Sequence, residues 1–270
     1  MKPVTLCLAI VTCLCNRFKT NLNTCCDIIS TAARKGADMV IFPEMTLTGY
    51  GTDHRFSKQV SPMDSQMIQT FTRLSDQLNL AILIGLAETI NERIYGSHLV
   101  FIPHTPYGKY QKLHIAPNEQ GIFTPGTRIP VFAHGGVKFG IQLCYDAHFP
   151  ELSTAMALQG ADLIVLPHAS PRGNQQDKFT SWMRHLPARA FDNGVFVAAV
   201  NQTGDNGAGL EFPGLSVVIG PDGKLMSRSL PKNNHLHVVT LDPKQLAHVR
   251  SHRMRYFLPH RRKDLFPIIG

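Results

Sequence analysis

Cys144 closes the apolar run VKFGIQLC (residues 137 to 144) and is followed at once by YDAHFPE (145 to 151). A strand that ends in a thiol, then turn residues and a helix, puts sulfur at the strand's carboxyl end, where open α/β sheets build their active sites. Taken alone, the residue reads equally well as a core cysteine. Two other positions favour chemistry. Glu44 ends IFPE (41 to 44) in the same way, and Lys112 lies in GKYQKLHIAPNE (108 to 119). A free thiol has a pKa of about 8.5, so at neutral pH only a few per cent is thiolate and a base must take its proton during attack. The oxyanion that attack creates needs a cation or N–H donors beside it. A carboxylate, an ammonium and a thiol from separate segments are the parts for that reaction. Each also has a plainer role: Glu44 could solvate a strand end, and a lone lysine such as Lys112 usually sits at the surface.

Periodicity gives the elements that must hold these groups. Strand-like runs at 4–11, 38–43, 80–87, 97–102, 137–144, 162–167, 195–200, 215–220 and 236–241 alternate with helix-like stretches near 21–35, 62–78, 149–159, 177–193 and 243–255. This is an α/β pattern. IGPDGKLM (219 to 226) is a hairpin whose turn is supplied by Pro221, Asp222 and Gly223. TAARKGADMVIFPE (31 to 44) and AMALQGADLIVLPH (155 to 168) match in register, which suggests two similar layers packed face to face with Glu44 and His168 in corresponding places. On that reading the loop after His168, with Arg172, overhangs the pocket. Arg172 is either a solvated loop charge or a clamp on a substrate carboxylate. Asn201, ending VFVAAVN (195 to 201), lines the pocket or holds a turn, and Asp146 could be a helix N-cap. Trp182, Arg184 and Arg189 fit the packing and ion pairs of an amphipathic helix.

With 270 residues, 43% of them hydrophobic, the chain can bury a large core, and nothing between residues 1 and 270 reads as a linker, so one domain is expected. No apolar stretch is long enough to cross a bilayer. Lys2 followed by VTLCLAIVTCLC (4 to 15) imitates a secretory leader, but no clear small-residue cleavage site follows. Five of the six cysteines (Cys7, Cys13, Cys15, Cys25 and Cys26) lie in apolar runs of the first 26 residues and read as small core hydrophobes in a reducing cytoplasm. The net charge of +8 raises the alternative of a non-enzymatic nucleic-acid binder. Its cations concentrate late, at Arg250, Arg253, Arg255, Arg261, Arg262 and Lys263, with only Tyr256, Phe257 and Phe266 to stack on bases. An arm contacting a partner subunit is the expected role. The 13 histidines show no metal-ligand spacing, and no cofactor is implied.

Six segments in order resemble the nitrilase or carbon-nitrogen hydrolase superfamily: GADMVIFPE (36 to 44), KYQKLHIAPNE (109 to 119), GIQLCYDAHFPE (140 to 151), GADLIVLP (160 to 167), ARAFDNGVFVAAVNQTG (188 to 204) and FPGLSVVIGPDG (212 to 223). The resemblance implies a two-sheet αββα sandwich that usually dimerises, with residues 4 to 11 as its first strand. It implies Cys144 as nucleophile, Glu44 as general base, and Lys112 with the backbone N–H of Tyr145 as the oxyanion site. Glu119 corresponds to a second glutamate that orients the lysine and the substrate nitrogen, unless it is only a charge at the start of a short helix. Nitrile-converting members tend to carry tryptophan and glutamate after the cysteine. Tyr145 and Asp146 stand there instead, which favours a small linear amide or N-carbamoyl substrate over a nitrile or an acyl transfer.

Overall fold

The computed structural model describes residues 2–265; Phe266 and the residues after it lie outside this range. The first half of the chain runs β1 (Val4–Ile10), α1 (Phe18–Arg34), β2 (Met39–Ile41), α2 (His54–Ser57), α3 (Ser65–Leu78), β3 (Ala81–Ile90), β4 (Arg93–Phe101) and β5 (Gly108–Gln111). The second runs β6 (Val131–His134), β7 (Val137–Ile141), α4 (Pro150–Leu158), β8 (Leu163–His168), α5 (Gln175–Trp182), α6 (Leu186–Asn193), β9 (Phe196–Asn201), β10 (Gly204–Asp205), β11 (Glu211–Phe212), β12 (Ser216–Ile219), β13 (Leu225–Ser229), β14 (His235–Leu241) and α7 (Pro243–Ser251).

Two six-stranded sheets result, ordered β14-β1-β2-β3-β4-β5 and β13-β12-β9-β8-β7-β6. Read from β14 and from β6, they have the same pattern: an antiparallel edge pair, three parallel strands, then two antiparallel ones. The match between residues 31–44 and 155–168 therefore extends to whole sheets. Parallel neighbours need crossover connections, and the helices between them supply these.

Side chains alternate across β1 with period two: Leu6, Leu8 and Ile10 join the apolar core shared by both sheets, while Cys7, Ala9 and Val11 face the outer helices. The inner core meets the second sheet through Phe139, Ile141, Val165 and Ala198. Outside the first sheet, α1 buries Cys25, Ile29 and Ala32 and α3 buries Met67, Phe71 and Ser75, both at helical spacing. The Asp64 carboxylate caps α3 by accepting from the N–H of Gln66 at 2.8 Å. On the far side α4 and α6 cover the second sheet. The two-sheet sandwich with helices outside is thus the fold that the resemblance implied.

Several boundaries differ from the sequence reading. The helix expected over 177–193 is two, because Pro187 sits in the first turn of α6, where its missing N–H is tolerated, and a turn over residues 183–185 separates α6 from α5. The strand expected to reach Cys144 stops at Ile141, and Cys144 opens a 3-10 turn over Cys144–His148. The last helix ends at Ser251 rather than 255. Edge strands β5 and β6, four residues each, are too short to show a period. The amino-terminal apolar run is a central strand, paired on one side with β14 and on the other with β2. All six cysteines are unpaired. Arg250 is not free for a partner: it binds Asp162 at 2.6 Å and the carbonyls of Ala161 and Gly194, fastening α7 to its own chain. No helix of the described residues is long and apolar enough to cross a membrane.

One glycine couples this frame to the chemistry. A Cβ on Gly85 would lie 2.6 Å from the N of Met45 and 2.9 Å from the carbonyl oxygen of Pro43, so the turn bearing Glu44 rests directly on bare β3 backbone. Gly85→Ala is expected to cost roughly 1–3 kcal/mol by overpacking. Thermal unfolding should show a drop of several degrees, accompanied by lost activity in the still-folded fraction.

Candidate active site

Three chain segments, from both sheets, deliver the expected groups to one place. Glu44 follows β2 in a turn where the Thr46 hydroxyl donates to the carbonyl of Pro43 at 2.7 Å and the Gln202 amide donates to the carbonyl of Glu44 at 2.7 Å. Lys112 directly follows β5, its N–H donating to Gly96 at 2.9 Å and its carbonyl accepting from Gly126 at 2.8 Å. Cys144 lies three residues beyond β7 with φ of +44°, a left-handed conformation that costs a non-glycine residue about 1–3 kcal/mol unless its surroundings enforce it.

Asp146 does much of that enforcing. It is fully buried, and one carboxylate oxygen accepts from the N–H of Leu143 at 3.0 Å and the Tyr110 hydroxyl at 2.7 Å. The other oxygen lies 2.8 Å from both the backbone N and the ring Nδ1 of His114. Asp146 is not the helix N-cap read from sequence: it is the third residue of the 3-10 turn, reaching back to the N–H of Leu143, the N-cap, and the same carboxylate ties the turn of Cys144 to the segment that carries Lys112. Arg189 adds a hydrogen bond from Nε to the carbonyl of Ala147 at 3.1 Å, a positioning contact that amphipathic packing did not reveal.

Lys112 is the electrostatic centre. Its Nζ lies 2.9 Å from Oε1 of Glu44 and 2.9 and 2.8 Å from the two carboxylate oxygens of Glu119, and all three residues are buried. Glu119 also accepts from the Tyr50 hydroxyl and the N–H of Ala116, each at 3.1 Å, so it both caps its short 3-10 turn and holds the lysine. The second oxygen of Glu44 accepts from the N–H of Ala169 at 3.0 Å. Burial pushes Glu44 up to about 7, against the opposing pull of Lys112, with Glu119 adding to the rise. Burial alone would lower Lys112, yet Glu44, Cys144 and Glu119 outweigh it and keep the ammonium charged. The Cys144 thiol is pushed up to about 12 by burial and by Glu44, with Lys112 opposing. The resting sulfur is therefore protonated, and the carboxylate of Glu44 has the near-neutral pKa that a base for it would need. The N–H of Tyr145 is not taken by another protein group among the described residues.

Cys144 opens into a cleft of about 370 Å³ that also contains His148, His168, Ser170, Arg172, Lys178, Trp182 and His185. A larger cleft of about 660 Å³ lies beyond Gly173 and holds none of the triad. His168 is buried against Trp182, with ring centroids 4.4 Å apart. Burial, then its cationic and histidine neighbours, holds it well below the usual imidazole range, so it is neutral. Arg172 is exposed at the cleft. Asn201 departs from the expected contact with substrate. Its amide is spent on backbone, accepting from the N–H of Ser170 at 2.9 Å and donating to the carbonyls of Ser170 and Pro213, so it shapes the 168–172 loop from behind. Lys178 escaped sequence reading, although its i, i+4 relation to Trp182 would place it on the buried face of one helix. The convergence of His148, His168 and His185 has no local signal, because it arises from three elements.

The carbon-nitrogen hydrolase family model matches residues 7–251. The chain belongs to that family. It is 30% identical to an (R)-stereoselective amidase of a Pseudomonas species over 85% of this chain and 82% of that one. It is 28% identical to an N-carbamoylputrescine amidase of Solanum tuberosum over 93% and 89% of the two chains. Among solved structures it is similar to a variant of an amidase from a Nesterenkonia species, in which the acetamide moiety of fluoroacetamide is added covalently at the active-site cysteine. The TM-score is 0.81, with 27% identity and coverage of 98% and 96%.

A base with a pKa of about 7 leaves a signature in the pH profile. Below that pH Glu44 is protonated and cannot accept the thiol proton. The value of kcat/KM should therefore rise with pH to a plateau above neutrality. A profile flat from pH 5 to 8 would show that Glu44 is not the titrating base.

Proposed function

We propose that this carbon-nitrogen hydrolase cleaves a small linear amide or N-carbamoyl compound through a thioester on Cys144, releasing ammonia. The observation that carries the reading is the buried Glu44–Lys112–Glu119 cluster beside a cysteine held at positive φ. Sulfur attacks the amide carbon as its proton passes to Glu44, and the oxyanion accepts from Lys112 and the N–H of Tyr145. Collapse breaks the carbon–nitrogen bond, with Glu44 returning the proton to departing ammonia. Glu44 then takes a proton from water, whose oxygen attacks the acyl carbon; the carbon–sulfur bond breaks, Glu44 returns the proton to sulfur, and the carboxylic acid, or the carbamic acid from an N-carbamoyl compound, is released. Glu119 keeps Lys112 charged and in line. The Pseudomonas and Solanum relatives are named for amide and N-carbamoyl substrates, and the Nesterenkonia adduct shows a cysteine acting covalently in a similar fold.

Unpaired thiols suit a reducing compartment such as the cytoplasm. A second copy would pack on the apolar patch where Phe191 and Phe257, both exposed, stand with ring centroids 5.4 Å apart. Light scattering should then give at least twice the 30.0 kDa chain mass, and less for Phe191→Asp.

Intact mass during turnover of a slow amide should show one acyl adduct, absent from Cys144→Ser. An adduct on any of the other five cysteines, or full turnover by the serine variant, would refute the assignment. Lys112→Ala should reduce kcat at least about a hundredfold. Ammonia release across matched amides, N-carbamoyl compounds and nitriles identifies the class; a nitrile preference would favour the rival reading.

A further inference from the structure

We propose that Lys178 and His168 form an anion site in the Cys144 cleft, holding a carboxylate at the end of the substrate remote from the scissile amide. This rests on the hydrolase reading above and adds the substrate's second functional group.

Lys178 lies in the first turn of α5, only 8% exposed, with Nζ donating to the Ser170 hydroxyl at 2.6 Å. Among the described residues no carboxylate lies within 4.0 Å of that ammonium. The contrast with Lys112, which has two carboxylates, is direct. One hydroxyl satisfies one of three N–H donors, and a buried ammonium without a counter-charge is costly. Burial is the main reason that Lys178 is held below the usual lysine range, and nearby Arg172 adds to the shift.

His168 provides an independent observation. It is 3% exposed, lines the same cleft, and its Nε2 is buried with no partner among the described residues. A neutral imidazole can offer one N–H to a carboxylate oxygen while Lys178 supplies the charge. Arg172 stands exposed at the cleft as a second cation. The buried acids nearby, Glu44 and Glu119, are engaged with Lys112, and Asp177 is exposed. Asp177 lines the cleft as well but, like Arg172, is exposed, so the unengaged buried charge there is the Lys178 ammonium, and the cleft's volume of about 370 Å³ suits a short acid. A short-chain amide acid or ureido acid meets both ends: nitrogen-bearing carbon at Cys144, carboxylate at Lys178. The competing role for Lys178 is to stabilise the Cys144 thiolate.

Succinamate and butyramide separate these roles, since they differ by a carboxylate in place of a methyl group. The wild-type enzyme should prefer succinamate. In Lys178→Met the ratio of kcat/KM for succinamate over butyramide should fall roughly tenfold to a hundredfold, mostly through KM, and Lys178→Arg should recover part of it. Calorimetry on Cys144→Ala should show succinamate binding that succinate competes for, so the proposal remains testable if Lys178→Met does not fold. An equal fall for both amides, a fall in kcat at constant KM, or butyramide bound as tightly as succinamate by Cys144→Ala would overturn it. Cys144 acylation by butyramide without a succinamate preference would sink the anion site alone. Absence of any Cys144 adduct with either amide would sink the hydrolase reading itself.

Discussion

Everything at the site depends on one buried ammonium held between two carboxylates. Lys112 bridges Glu44 and Glu119 at hydrogen-bond distance, with all three side chains almost fully withdrawn from water. Removing one member of such a cluster leaves an uncompensated charge that costs about 3–5 kcal/mol, so the cluster fixes its own geometry as firmly as any apolar contact. It joins the turn after β2, the segment after β5 and the 3-10 turn ending at Glu119. The second sheet is drawn in because Ala169, just past β8, donates to Glu44, and Gln202, just past β9, holds its carbonyl. The cluster thus fastens the two sheets and tunes the acid–base group. One arrangement serves both stability and reactivity.

The nucleophile requires a compensated strain. Cys144 occupies a left-handed conformation that is costly for a residue with a side chain. Asp146, buried with four donor contacts, and Arg189, bonded to Ala147, stabilise the turn against relaxing. Two of the donors to Asp146 belong to His114, two residues after Lys112. A displacement of the lysine segment therefore reaches the thiol through the Asp146 carboxylate.

What the sequence disclosed and what it hid follow from the range of the interactions. Glu44, Lys112 and Cys144 are legible because each follows a strand in a segment with its own local pattern, whereas Glu119, in a 3-10 turn, came to notice through the family resemblance. The α/β alternation and the two similar layers were legible from periodicity and from the matching segments 31–44 and 155–168, while the αββα arrangement was implied by the family resemblance. Pro187 splitting the helix could have been weighed from the proline rule alone. Asn201 looked like a pocket residue because it ends a strand, but only the loop folded over it shows that its amide is consumed by backbone. Lys178, His148 and His185 were hidden, since their meaning comes from who is absent or present across space and not from spacing along the chain.

The doubled frame sharpens this point. In the first sheet Leu6 pairs with Met39, and in the second Phe139 pairs with Leu163, so the two halves can be laid over one another strand by strand. Glu44 then matches His168, and Cys144 matches Val11, which is buried and lacks the positive φ. The fold supplies equivalent strand ends on both sheets, but equivalent positions do not yield equivalent chemistry. Reactivity arises where the pair is broken: the carboxylate comes from one half and the strained thiol from the other. Neither half carries both groups. The face-to-face packing of the sheets brings a strand end of one half against the turn of the other, as the contacts of Glu44 with Ala169 and Gln202 show.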